Sequence, residues 1–287
     1  MKERAVAFGK DRCLSGIVTE PEGQGSHVGV LLLNAGILHR VGPALLHVRL
    51  ARALAGEGFP VLRFDSSGIG ESEARSDAVP YEQRIVGEAQ AGMDLLGELG
   101  TKRFVVFGIC SGADNGFRVA LGDERIVGAV LPAFLSFGSR GYLMERYFGQ
   151  LLTREFWLRA VQGGVDVRST LRNAIQKLRA SPSPSTPEPG DESQFWRMPP
   201  SEKVRSELRN LAARGVQLLF IYSHGSPAEF NYRKILRPEQ SALGEGAPID
   251  VMVVKHTDHT FSPLHHQQRI VNAVVDWTKR VAARDGS

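Results

Sequence analysis

The sequence predicts an α/β fold, a mostly parallel sheet flanked by helices with an inserted helical cap. Three observations carry that reading. Buried-strand runs alternate with helical patterns along most of the chain. The alternation stops between 138 and 200 and then resumes. A glycine-flanked turn, Gly108-Ile109-Cys110-Ser111-Gly112, follows a strand directly and opens a helix. At 287 residues and 42% hydrophobic, the chain is long enough for one large domain with a sizeable core, and at 23% charged it is not a disordered chain.

The elements follow in order. Segments 4–8 and 13–19 read as two early strands, paired antiparallel. The run 28–34 is apolar throughout, as a strand covered on both faces must be. A helix is expected over 43–56, with Leu45, Leu46, Val48, Leu50, Ala53 and Leu54 on its apolar face and Gly56 and Gly58 ending it. Strand 60–64 ends at Asp65, and a long helix over 81–99 is closed by Gly100. Strand 104–107 leads into the glycine-flanked turn, a helix runs on to about 121, and 126–131 is the next strand.

From 138 to 200 no strand signal appears. Segments 140–158 and 165–180 look helical, and the Pro/Ser run 181–190 is incompatible with regular structure. Helix 201–214, strands 216–222 and 249–255, and a final helix 263–283 complete the pattern. The core is therefore expected at 1–137 and 201–287, with the cap at 138–200 acting as a lid at the end of the sheet where ligands bind in open α/β folds.

Composition narrows the function classes. A net charge of +4 is weak evidence for an anionic partner, and no Lys/Arg run with interleaved aromatics supports nucleic-acid binding. No run approaches the roughly 18 apolar residues of a membrane span, and no signal peptide is read at the N-terminus, so a soluble cytoplasmic protein is expected. The two cysteines, Cys13 and Cys110, make no disulfide framework; Cys13 reads as a small buried residue. His256, His259, His265 and His266 suggest a metal cluster, but adjacent His265 and His266 should point apart on a helix and no Cys or carboxylate set completes a site. Neither a metal nor a cofactor is expected.

The turn at Cys110 carries the chemistry. It fits the pattern Gly-x-nucleophile-x-Gly, in which the nucleophile holds a strained backbone position and the glycines avoid clashes around it. The N–H groups of the following helix favour a thiolate and a developing oxyanion. Three other readings stand beside this one. The segment is a glycine-rich turn with a buried cysteine; or Ser111 is the nucleophile, at the cost of the glycine spacing; or Gly112-Ala113-Asp114-Asn115-Gly116 is the operative frame, with Asp114 attacking from inside the helix.

Five segments together, Asn34-Ala35-Gly36, His39-Arg40-Val41-Gly42-Pro43, Leu62 to Ser72, Gly108 to Gly112 and Asp258-His259-Thr260-Phe261, resemble the α/β-hydrolase superfamily. Within it the chain is similar to the serine-aminopeptidase-like (S33-type) branch and to the hydrolases that accompany exosortase systems. The resemblance spans most of the chain outside 138–200. It implies Cys110 as nucleophile and, by the order nucleophile, acid, histidine, His259 as base on the loop after the last strand. It implies an acid after strand 216–222, where no Asp stands. Glu229 is the nearby carboxylate, either orienting the imidazole or solvated on a loop that looks shortened. A Cys–His pair is sufficient without an acid, because a thiol needs less activation than a serine hydroxyl.

An oxyanion hole is expected from the N–H of Ser111 and that of Gly36 or Ile37. His39 and Arg40 either touch an anionic substrate group or are surface residues, and Asp65 reads as structural. In the cap, Leu143, Met144, Tyr147, Phe148, Leu151, Leu152, Phe156, Trp157 and Leu158 either line an apolar acyl pocket or pack the cap on the core; Met144, Phe148 and Trp157 are the candidate substrate contacts. Eight Lys/Arg against three Asp/Glu between 140 and 180 suit an acidic acyl carrier protein or the phosphates of coenzyme A, or are a solvated face. The leading function is hydrolysis of a small-molecule ester or thioester through an S-acyl-Cys110 intermediate. The alternatives are an acyltransferase to an amine or alcohol, and a non-catalytic binding protein of the same fold.

Overall fold

The structure, a computed structural model, describes residues 1–75, 77–139, 141–145, 158, 172 and 198–285. Its centre is an eight-stranded sheet in the order β1-β2-β4-β3-β5-β6-β7-β8. Strands β1 (Lys2–Phe8) and β2 (Leu14–Glu20) pair antiparallel, from Lys2↔Glu20 to Phe8↔Leu14. β2 lies antiparallel to β4 (Val61–Phe64), and from β4 the sheet is parallel through β3 (Val28–Leu32), β5 (Arg103–Phe107), β6 (Ile126–Pro132), β7 (Gln217–Ser223) and β8 (Ile249–Val254).

The apolar runs are continuous because both faces of the sheet are covered. Side chains alternate between two cores. Leu31, Leu62, Phe104 and Val106 face helices α2 (Tyr81–Gly97), α3 (Ser111–Gly122) and α4 (Ser201–Ala213). Val30, Leu32, Val105 and Phe107 face α1 (Leu46–Gly56) and α7 (Leu264–Asp285), with Leu50, Leu54, Ile270, Val274 and Trp277 opposite them. β3 and β5 are neighbours, yet α1 leaves β3 toward one face and α3 leaves β5 toward the other. Their diverging loops open a crevice at the carboxyl ends of the two strands, the position where ligands bind in open α/β sheets.

Several expectations are adjusted. The helix expected from 43 opens with a 3-10 turn, Pro43–Leu45, whose Ala44 (φ 45°) and Leu45 (φ 64°) are left-handed, so the α-helix starts at Leu46. Cys13 is half-buried rather than buried. His265 and His266 do not point apart; their ring centroids lie 3.9 Å from each other.

The segment after β7 is not a shortened loop. It holds α5 (Pro227–Asn231), a π-helical turn Tyr232–Leu236 and α6 (Arg237–Leu243). Pro227 presets the first helical φ, and the Ser226 hydroxyl caps the helix by accepting the Glu229 N–H at 3.1 Å. Nearly all of the cap expected at 138–200, including Phe148, Trp157 and the run 181–190, lies outside the described residues. At its entry Tyr142 docks on α5, donating its hydroxyl to the Gly225 carbonyl at 3.2 Å and meeting the Phe230 ring edge-on at 5.9 Å. Met144 is half-exposed beside it.

Candidate active site

Cys110 occupies the turn between β5 and α3 with φ 57° and ψ −122°, a conformation that a non-glycine residue holds only where its surroundings enforce it. They do so through backbone alone. A Cβ on Gly108 would land on the carbonyl of Gly112, and a Cβ on Gly112 would land on the carbonyl of Asn34 at the end of β3. The Cys110 N–H donates to the Pro132 carbonyl at 2.9 Å, and its own carbonyl accepts the Ala113 N–H at 2.8 Å. The cysteine is thus clamped between three strand ends and the first turn of α3.

The thiol is half-buried. Burial pushes its pKa above the ordinary cysteine value; the Ser111 N–H, donating toward the sulfur, opposes the rise, and the Asp114 carboxyl adds to it. The resting group is therefore the thiol: burial outweighs the helix N–H groups that favour a thiolate. Iodoacetamide modification of Cys110 should accelerate at a higher pH than that of a cysteine inside an unstructured peptide with blocked ends. Mass spectrometry at a series of pH values measures it, with Cys110→Ala reporting the contribution of Cys13. A midpoint below pH 8 would show that another group draws off the proton in the resting protein.

The loop after β3 comes to the elbow. Gly36 is left-handed (φ 59°), and a Cβ there would lie 3.5 Å from the Ser111 hydroxyl. Among the described residues, no acceptor takes the N–H of Gly36 or Ile37, and the Ile37 side chain is almost fully exposed. The Gly36 backbone thus lies beside Ser111, the residue that opens α3.

A buried charge cluster fixes the same loop. Asn34 donates to the Leu38 carbonyl at 2.8 Å and to Asp65 at 3.1 Å, while its carbonyl oxygen accepts the Ser66 N–H at 2.7 Å. Asp65 is fully buried and accepts the Arg40 N–H at 2.6 Å. The Arg40 guanidinium is buried too, paired with Asp65 on one side and Glu71 on the other. Arg40 is accordingly neither a surface residue nor an open contact for a substrate anion; its charge is used inside the fold. His39 lies partly exposed with Nε2 3.4 Å from Asp65. The bonds of Asp65 to Asn34 and Arg40 tie this loop to the end of β4.

At the other side of the crevice, the His224 N–H donates to the Val254 carbonyl at 2.9 Å, so the segments following β7 and β8 start side by side. Glu229 is buried, not solvated. Its carboxylate accepts the Gly225 N–H and meets His224 Nδ1 at 3.3 Å. Its described bonds thus close the start of α5, and none goes to His259. Ser226 and Glu229 stand in the S/T-x-x-E spacing of a helix N-terminus, a signal present in the sequence that identifies this carboxylate as a helix-start residue.

His259 lies exposed on the loop after β8. Asp258 shapes that loop, accepting the Thr260 N–H, the Thr260 hydroxyl and the Ser262 N–H, each at 3.0 Å. Partial burial pulls the Asp258 pKa up, but the bonds from Ser262 and Thr260 outweigh it and hold the carboxyl below its usual range. Phe261, left-handed and fully buried, anchors the loop to the core. Among the described residues, no group of three or more His, Cys, Asp or Glu side chains is arranged to hold a metal ion, and no helix is long and apolar enough to cross a membrane.

No protein-family model and no curated protein sequence matches the chain. Solved structures match over nearly its full length. A thermostable carboxyl esterase from Bacillus coagulans aligns with a TM-score of 0.65 at 10% identity, covering 98% of this chain and 99% of that one. A Pyrococcus furiosus esterase aligns at 0.60 and 17% identity, covering 97% and 91%. A proline iminopeptidase from Mycobacterium smegmatis aligns at 0.58 and 18%, covering 99% and 100%. At such identities the likeness speaks for architecture alone, and with the mostly parallel eight-stranded sheet it shows that the chain has the α/β-hydrolase fold.

Proposed function

We propose that the chain is an acyl-transfer enzyme with Cys110 as nucleophile, acting first as an esterase or thioesterase. One observation carries the reading. A cysteine, held left-handed at the strand-to-helix turn by Gly108 and Gly112, stands beside three backbone N–H groups that have no backbone acceptor among the described residues. Such a turn presents a nucleophile and its oxyanion donors together.

In this scheme His259 takes the proton from the Cys110 thiol as sulfur bonds to the carbonyl carbon. The carbonyl oxygen becomes an oxyanion held by the N–H groups of Ser111 and of Gly36 or Ile37. Collapse expels the alcohol or thiol, which leaves with the proton returned by His259, and an S-acyl-Cys110 thioester remains. Water, deprotonated by His259, then releases the acid and restores the thiol. The raised thiol pKa makes this base necessary, since little thiolate is present beforehand. With Glu229 bonded to Gly225 and His224, the scheme runs as a Cys–His pair.

Intact-protein mass spectrometry after exposure to a panel of acyl thioesters and activated esters tests it. Wild type should gain one acyl group, Cys110→Ala none, and Ser111→Ala one. His259→Ala should retain whatever adduct it forms, because deacylation also needs the base. Faster decay with added amine than with water would move the assignment to an acyltransferase. No adduct and no turnover with any donor would remove the catalytic reading in favour of a binding protein.

A further inference from the structure

A cavity of about 440 Å³ lies between α2, α3, α4 and the segment after β6. Cys110 is not part of its described wall. Val86, Phe117, Phe134 and Phe137 give the cavity an apolar body, and Phe117 and Phe134 pack with centroids 4.8 Å apart. Asp114, one helical turn beyond Cys110, faces into it.

The charges of the described wall are uneven. Glu82, Asp114 and Glu207 stand against Arg118 and Lys203. The two cations are already engaged, Arg118 with Glu82 at 3.3 Å and Lys203 with Glu207 at 3.8 Å. Arg118 also donates to the Asn115 side chain at 3.4 Å. Asp114 is the carboxyl left over. Its one described side-chain hydrogen bond is from the Leu135 N–H, at 3.2 Å to Oδ1. Among the described residues Asp114 forms no ion pair, so a carboxyl lining an apolar cavity is left without the partner that such a position calls for.

We infer that this cavity is a binding site for a small amphiphilic amine, an alkyl or aryl body on the aromatic wall with its ammonium on Asp114. An anionic ligand would meet the unpaired carboxyl, and a neutral one would leave it unpaired. The site does not depend on Cys110 being reactive.

The inference has a pH signature. Burial raises the Asp114 pKa to about 7, against the opposing pull of the Leu135 N–H and the Arg118 charge. An ammonium binds the ionised form, so apparent affinity follows the ionised fraction and should rise about tenfold from pH 6 to pH 8. The other groups facing Asp114 from neighbouring elements are poor sources of that change. The Cys110 thiol and the Tyr222 phenol are both pushed upward by burial and stay neutral, while Arg118 lies 3.3 Å from Glu82 and Lys203 lies 3.8 Å from Glu207. Glu207, also raised by burial, sits beside Lys203 and is tested separately by Glu207→Gln.

Calorimetric titration of the full chain with n-hexylamine, n-hexanol and hexanoate decides the matter. The expected result is hexylammonium at least tenfold tighter than hexanol at pH 8, a tenfold loss at pH 6, and loss of both differences in Asp114→Asn but not in Glu207→Gln. Equal binding of the three probes, preference for hexanoate, no binding of hexylamine, or an unchanged preference in Asp114→Asn overturns the assignment. Should Asp114→Asn not fold, the wild-type pH dependence alone decides: an affinity flat between pH 6 and 8 overturns it. All of these readings are independent of acylation at Cys110, so they stand or fall apart from the proposed chemistry.

Discussion

Gly108→Ala is expected to lower stability by about 3 kcal/mol or more and to abolish acylation at Cys110. The atoms that a new Cβ would strike are the carbonyl of Gly112 and the amide nitrogen of Ala113, all backbone. No rotamer relieves that clash; the end of β5 must part from the first turn of α3. Gly112 in turn lies against the carbonyls of Asn34 and Leu33, so any shift of α3 is passed to the end of β3. Ser111 and the Gly36 backbone would no longer lie side by side. Urea unfolding and the rate of adduct formation measure the two effects. Gly87→Ala is the control: Gly87 lies exposed inside α2 with nothing within 4 Å of its would-be Cβ, and the change should stabilise by about 0.5–1 kcal/mol. A wild-type unfolding midpoint and adduct yield for Gly108→Ala would show that the turn tolerates a side chain, and the argument for a backbone clamp would fail.

The parts of the molecule legible in the sequence are those whose physics is local. A strand covered on both faces must be apolar throughout, and 28–32 and 126–132 are. The turn at Cys110 was legible because backbone crowding admits only glycine at two fixed positions. The region after β7 hid for the opposite reason. Its helices are short, and one passes through a π-helical turn, so no run was long enough to show a helical period. The local signal that was present, Ser226-Pro227-Ala228-Glu229, is a helix start in which Ser226 caps the helix and the Glu229 carboxylate turns back to the Gly225 N–H just before it. Arg40 was misplaced because arginines are mostly exposed, and nothing near position 40 reveals that Asp65 will lie beside it. Asp114 was visible as a residue, but only the assembled cavity shows it without an ion pair among the described residues.

Arg40→Ala should cost about 3 kcal/mol, because it leaves Asp65 fully buried without its counter-charge. The lower end of the range for a broken buried pair applies here. Asp65 keeps the N–H groups of Arg40 at 2.6 Å and Glu71 at 3.3 Å, the Asn34 amide at 3.1 Å, and His39 nearby. Glu71 is exposed and loses little. The cost arises from a stranded charge, so removing that charge should return part of it. Asp65→Asn in the Arg40→Ala background is expected to recover more than 1 kcal/mol relative to Arg40→Ala alone, a clear departure from additivity. The cost should also persist at high salt, unlike that of a surface pair. Denaturant unfolding of the four proteins in the cycle, at low and high ionic strength, provides the numbers. A loss below 1 kcal/mol, or one that disappears with salt, would mean that Arg40 is solvated and free to meet a ligand. If the loss is as large as expected, acylation should also slow in the fraction that remains folded, since the same residues fix the loop carrying the Gly36 and Ile37 N–H groups.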